Sequence, residues 1–136
     1  MTFKKELDRL IQEGLMEKCD HATWVAGTFI MPKKDSRVRW VSDFRALNKT
    51  LKRKHCPLPK MQEILSRHKG HKFLSKLDLL MQYYIFELDK ESKDLCAIAT
   101  PWGLFRHTHL PMGVSPAPDI VQEIMERALA FSPQRN

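Results

Sequence analysis

The segment FLSKLDLLMQYYIFELDKESKDLCAIATPWGLF, residues 73–105, changes its pattern three times. KFLSKLDL (72–79) reads as a strand whose apolar end delivers Asp78. LLMQYY (79–84) follows as a turn or short helix, which Asp78 is well suited to cap. LCAIAT (95–100) and GLFRHTHL (103–110) then form a hairpin pattern around Pro101, Trp102 and Gly103. Between them Glu87, Asp89 and Glu91 alternate as if on an exposed edge. A carboxylate at the end of an apolar strand can offer the oxygen ligands that Mg²⁺ requires. Taken alone, Asp78 reads more readily as a turn cap.

On the N-terminal side, FKKELDRLIQEGLMEK (3–18) places Leu7, Leu10, Ile11 and Leu15 at helical spacing, with Gly14 near its weak end. TWVAGTFIMPKK (23–34) and RVRWVSDF (37–44) read as two strands around Asp35 and Ser36, so the tip would carry Lys33, Lys34, Arg37 and Arg39. RALNKTLKRKHCPLPK (45–60) is a basic connector made extended by its prolines, and MQEILSRH (61–68) is a short helix. Val121, Ile124, Met125, Ala128 and Leu129 mark a last helix entered through SPAPD (115–119). Helix, hairpin, helix, strand, hairpin and helix in that order predict an α+β domain.

The net charge of +7 is concentrated. Residues 33–60 hold ten Lys or Arg against two Asp, whereas residues 1–32 sum to −1 and residues 61–136 to zero. Such a segment favours phosphate-bearing partners through field focusing and counterion release. WVAGTFIM (24–31), the most apolar run, falls far short of the roughly 20 residues of a membrane helix, so no membrane association is expected. MTFKKELDRL has no apolar h-region, which predicts an intracellular protein. Cys19, Cys56 and Cys96 are odd in number and far apart, as free thiols or small apolar residues would be. The six histidines show no metal-binding spacing.

Four strings occur in a set order: IMPKKDSRVRWVSDFRALN (30–48), PLPKMQEIL (57–65), residues 73–105, and LPMGVSPAPDIVQ (110–122). Together they resemble the fingers and upper palm of reverse transcriptases from gypsy-class long-terminal-repeat retrotransposons, over nearly the whole chain. The resemblance implies the fingers and partial palm of a right-hand polymerase, built of antiparallel hairpins with flanking helices. Residues of about 20–70 and 90–110 would be fingers-like, and about 71–89 and 110–131 palm-like, within a single incomplete domain at 1–136.

The same resemblance implies residue roles. Asp78 matches the first catalytic, metal-binding aspartate, and the Leu79 carbonyl would help hold the ion. Tyr83 matches the bulky gate that excludes a ribose 2′-hydroxyl. Lys33 and Arg39 match residues gripping the incoming triphosphate, and Met81 and Gln82 would offer backbone N–H groups to it. Met112 and Gly113 match the loop lining the nucleotide pocket, while Pro118 and Gln122 match template contacts on the following helix. Two Mg²⁺ ions, a dNTP, an RNA or DNA template–primer and the remainder of a Pol polyprotein are the implied cofactor and partners.

There are departures. The family usually has Gly at the positions of Gln82 and Ser36, and often an aromatic at those of Met112 and Val121. Residues 1–136 contain no Asp-Asp pair and neither thumb nor ribonuclease H, so polymerisation by them alone is not expected. The expected function is template-directed nucleotidyl transfer from dNTP to a primer 3′-hydroxyl, as a fragment of that enzyme. A non-enzymatic basic nucleic-acid-binding module is the alternative; it has no need of the Lys33, Arg39, Asp78 and Tyr83 set. An RNA-dependent RNA polymerase is disfavoured by the Tyr83 gate.

Overall fold

The computed structural model describes residues 3–32, 38–54, 56–67, 69–70, 72–73 and 75–130. Helix α1 (Phe3–Gln12) carries Leu7 and Leu10 on one face, and both are fully buried. It is shorter than its apolar periodicity predicts. Gly14, at φ +72°, turns the chain in a region that side-chain-bearing residues rarely enter. Met16–Lys18 then becomes β1, a strand that the helical reading had absorbed.

The two expected hairpins are present. β2 (Val25–Pro32) pairs antiparallel with β3 (Val38–Ser42), placing Met31 opposite Arg39 and Ile30 opposite Trp40. β4 (Ala97–Thr100) pairs antiparallel with β5 (Gly103–His107), with Thr100 opposite Gly103. The hairpins join edge to edge through a parallel pairing of Val25–Gly27 with Ala97–Ala99, and β1 adds to β5. The result is one mixed five-stranded sheet in the order β1-β5-β4-β2-β3. The hairpins are antiparallel as expected; the parallel seam that joins them lies outside the sequence reading, because strand pairing across a long insertion leaves no local pattern.

Helix α1 holds the two hairpins together at one end. The Phe3 ring lies 4.8 Å from Trp40 of β3 and 5.2 Å from Trp102 in the β4–β5 turn, both by ring centroids. Such tilted and edge-on pairs add to burial. The core gathers Leu7, Leu10, Met16, Phe44, Ile98 and Phe105. Across β1 and β5, Arg106 pairs with Glu17 at 2.6 Å and with Asp94.

The long passage between β3 and β4 departs most from expectation. Arg45–Asn48 forms a short helix, α2, in what reads as plain connector. Met61–Arg67 forms α3 as predicted. Residues 75–79 form no strand: no described strand runs beside them, and an extended segment without a ladder partner stays irregular. Leu77 and Leu80 are consequently 81% and 88% exposed. A short 3₁₀ turn, Gln82–Ile85, follows; its capping position is Met81, at φ +52°, and no side chain caps it, so Asp78 is not the cap. Asp89, in the run that read as an alternating edge, instead caps α4 (Lys90–Leu95), accepting the Ser92 N–H at 2.8 Å. The final helix, α5 (Ala117–Ala130), is present as predicted but starts inside the SPAPD entry, with Asp119 in its first turn.

One side chain fixes the loop between β5 and α5. Asn48 Nδ2 donates to the Gly113 carbonyl at 2.8 Å, and its Oδ1 accepts the Ser115 N–H at 2.8 Å. One planar amide therefore satisfies a backbone acceptor and a backbone donor two residues apart. Asn48→Ala should cost about 0.5–1.5 kcal/mol, because both bonds are lost at a site that water reaches. It should also raise amide exchange specifically at residues 113–115, measurable by hydrogen–deuterium exchange. A second expectation concerns His107, which is fully buried, edge-on to Phe44, with neither ring nitrogen hydrogen-bonded among the described residues. Burial pushes its pKa down from 6.5 to about 4, so between those values the unfolded chain binds the extra proton. Stability from this site is complete above pH 6.5 and is lost as pH falls, by up to about 3 kcal/mol near pH 4. Urea denaturation across this range should show the slope, and His107→Met should flatten it.

Candidate functional site

The Gly113 loop separates two open grooves. Gly113 sits at φ +98°, and a Cβ there would meet Phe44 and the Ser42 carbonyl at 3.7 Å, so backbone conformation rather than space demands glycine. On one side lies a groove of about 390 Å³ lined by Arg53, Tyr83, Met112, Gly113, Ser115 and Pro118. Four residues singled out from sequence — Tyr83, Met112, Gly113 and Pro118 — are therefore neighbours, although 35 positions separate the first from the last. Met112 is exposed and Tyr83 half-buried, as a pocket wall requires.

On the other side, Gly113 also borders a groove of about 430 Å³ with Phe29, Ser42, Arg45 and Asn48. Its charge is internally compensated. Arg45 donates to both oxygens of Asp43, at 2.8 and 2.6 Å, and this partner holds the Asp43 carboxyl down to about 2.

The remaining predicted residues are placed less closely. Arg39 is exposed on β3 and lines neither groove. Lys33 lies outside the described residues. Gln122 sits four positions after Pro118 on α5, hence on the same helix face, and donates to Glu126 at 2.7 Å. Met81 and Gln82 open the turn that carries Tyr83. Asp78 and Leu79 lie in the exposed irregular stretch before it. Among the described residues no three His, Cys, Asp or Glu side chains gather to hold a metal ion. Asp78 and the Leu79 carbonyl offer at most three oxygens where a hard divalent cation takes about six, so the residues present do not make a metal centre by themselves. No helix among the described residues is long and apolar enough to cross a membrane.

Three contributors escape a reading by segment. Asn48 looks like any polar residue of the basic connector. Arg53 is one of ten cations in the basic window, with nothing local to single it out. Asp119 lies in the Pro-rich helix entry. It is nearly buried, yet it accepts from Arg53 Nε at 2.5 Å and from the Cys56 N–H at 3.2 Å. Lys54 likewise pairs with Glu123 at 3.1 Å. These are contacts across more than 60 positions of sequence, visible only in the fold.

Comparison with known proteins shows the family and the fold. The chain is 35% identical to the uncharacterized protein K02A2.6 of Caenorhabditis elegans, over 95% of the chain and 10% of that protein. It is 32% identical to the retrovirus-related Pol polyprotein from transposon 412 of Drosophila melanogaster, over 96% of the chain and 11% of the polyprotein. It thus spans about a tenth of the length of these curated relatives. In three dimensions it is similar to the prototype foamy virus protease–reverse transcriptase, with a TM-score of 0.80 and 25% identity over 96% of the chain and 17% of that protein. A structure of the foamy viral enzyme in complex with an RNA/DNA hybrid matches at a TM-score of 0.77 and 22% identity, over the same 96% and 17%. The architecture is accordingly that of a right-hand polymerase, here as a mixed sheet with flanking helices. The profile of the family described as reverse transcriptase (RNA-dependent DNA polymerase) matches residues 31–136, and the chain belongs to that family.

Proposed function

We propose that residues 1–136 form the nucleotide- and template-facing part of an RNA-directed DNA polymerase from a gypsy-class long-terminal-repeat retrotransposon, working within a longer Pol polyprotein. The observation that carries this reading is the groove that brings Tyr83, Met112, Gly113 and Pro118 together. In it, the Tyr83 ring lies under the deoxyribose and leaves no room for a 2′-hydroxyl. Met112 and Gly113 form the floor, with the loop pinned by Asn48. Residues of about 20–70 and 90–110 act as fingers, and those of about 71–89 and 110–131 as palm. Lys33 and Arg39, on the fingers hairpin, grip the triphosphate with charge-assisted hydrogen bonds, aided by the backbone N–H groups of Met81 and Gln82. Pro118 and Gln122, on one face of α5, meet the template strand. The foamy viral enzyme's complex with an RNA/DNA hybrid supports this choice of partner.

The reaction joins a primer 3′-hydroxyl to the α-phosphorus of a dNTP and expels pyrophosphate. Asp78 belongs to this scheme as one carboxylate ligand of a divalent ion, Mg²⁺, that other parts of the polyprotein also hold. When bound, the ion would neutralise charge on the phosphate oxygens. A purely basic binding module accounts for the cationic window but not for an aromatic, a positive-φ glycine and a proline around one groove.

The test is a chimera in which residues 1–136 replace the matching segment of the transposon 412 Pol polymerase, assayed by primer extension. Tyr83→Val should lower the dNTP/rNTP ratio of kcat/KM by at least about tenfold. Arg39→Ala should weaken both sugars alike, by about 10- to 100-fold, as a lost charged hydrogen bond predicts. Asp78→Asn should reduce incorporation to background. An unchanged sugar ratio in the Tyr83 variant would place the nucleotide elsewhere.

A further inference from the structure

The groove beside Gly113 has one charged wall, and no role described so far uses it. Arg53 lines the groove together with Tyr83, Met112 and Pro118, and its side chain is 47% exposed. Its partner, Asp119, has a side chain only 6% exposed, in the first turn of α5. Arg53 Nε donates to Asp119 Oδ2 at 2.5 Å and Nη2 donates to Oδ1 at 3.4 Å, so the carboxylate takes one edge of the guanidinium. The Cys56 N–H donates to the same Oδ1 at 3.2 Å and fixes the carboxylate from the connector side. A guanidinium held along its Nε–Nη2 edge is fixed in orientation and keeps donors on its other edge. The anchor is buried and the cation half-exposed, which is the arrangement of an aimed side chain rather than of a loose surface pair.

We propose that Arg53 contacts a phosphate in this groove and that Asp119 is the positioning residue that aims it. The inference rests on the reading of the groove as nucleotide- and template-binding. The shared chemistry is a phosphate oxygen, from either a strand phosphodiester or the triphosphate of an incoming nucleotide. The neighbouring pair, Lys54 and Glu123, is a contrast, because Lys54 is 81% exposed and does not line the groove.

Electrostatics alone and positioning predict opposite signs. Removing the Asp119 charge makes the surface more positive, so a purely coulombic contribution would tighten binding of a polyanion. Positioning predicts weaker binding despite that gain. The experiment measures fluorescence anisotropy of a labelled RNA–DNA hybrid with the 136-residue chain across a salt series, with tripolyphosphate as competitor in a second arm. Wild type should bind with salt-dependent affinity. Asp119→Asn should weaken binding about 3- to 10-fold, and Arg53→Lys, which keeps the charge but loses the fork, by a similar factor. The double variant should be no weaker than Arg53→Lys. Arg53→Ala should lower the salt slope by about one. Glu123→Gln should not weaken binding.

Loss of hybrid affinity with unchanged tripolyphosphate competition assigns the contact to a strand phosphodiester; weakened competition assigns it to the triphosphate. Arg53→Lys binding both probes as wild type does would overturn the proposal while leaving the groove reading intact. So would tighter or unchanged binding by a folded Asp119→Asn. If Asp119→Asn does not fold, Arg53→Lys decides alone. A wild-type chain that binds the hybrid at no salt concentration would overturn the groove reading and this inference with it.

Discussion

The parallel pairing of Val25–Gly27 with Ala97–Ala99 is the constraint from which the rest of the architecture follows. Parallel neighbours cannot be joined by a tight turn; the chain must leave one strand, cross, and return in the same direction. Here the return includes the β3 strand, α2, the basic connector, α3, the Asp78 stretch and the Tyr83 turn. Every candidate residue from Arg39 to Gln82 therefore lies on one excursion whose two ends are tied at the seam. The hairpins alone would be two separate ribbons, and a two-stranded ribbon is marginal in water. Joined, they present one face to α1, where Leu7 and Leu10 are buried and Phe3 reaches both Trp40 and Trp102.

An excursion of that length needs anchors, and these are polar and specific. Asn48 binds the backbone of the Gly113 loop from α2, and Asp119 binds Arg53 and the Cys56 amide from α5. Both anchors converge on residues flanking the same groove. Hydrogen bonds with directional requirements thus hold the groove's rim, beside the apolar packing of Val114, Ala117 and Tyr83 on the core. The segment beyond these anchors, with Leu77 and Leu80 largely exposed, has no comparable attachment among the described residues.

The charge distribution takes a different meaning in three dimensions. The basic window reads as a uniform positive surface, but three of its cations are already engaged: Arg45 with Asp43, Arg53 with Asp119 and Lys54 with Glu123. Two of those acids come from α5, far along the chain. Pairing of this kind costs some field strength and gains orientation, which matters more for recognising a phosphate at one place than for attracting it from a distance.

Local sequence determined much of this protein. The two hairpins, α3 and α5 follow from periodicity and turn chemistry within about ten residues, and four ordered strings identified the family that the profile match shows. Tyr83, Met112, Gly113 and Pro118 were legible as candidates, and the fold brings them to one groove. Helix α1 was legible in type but not in length, because Leu15 continues the helical spacing past the glycine that breaks it. Only tertiary structure decided the parallel seam, the irregular state of residues 75–79, and the Asn48 and Asp119 anchors. The physical reason is common to all three. A strand exists only beside another strand, and a hydrogen bond or ion pair across more than 60 residues depends on where the chain returns, which no local pattern records.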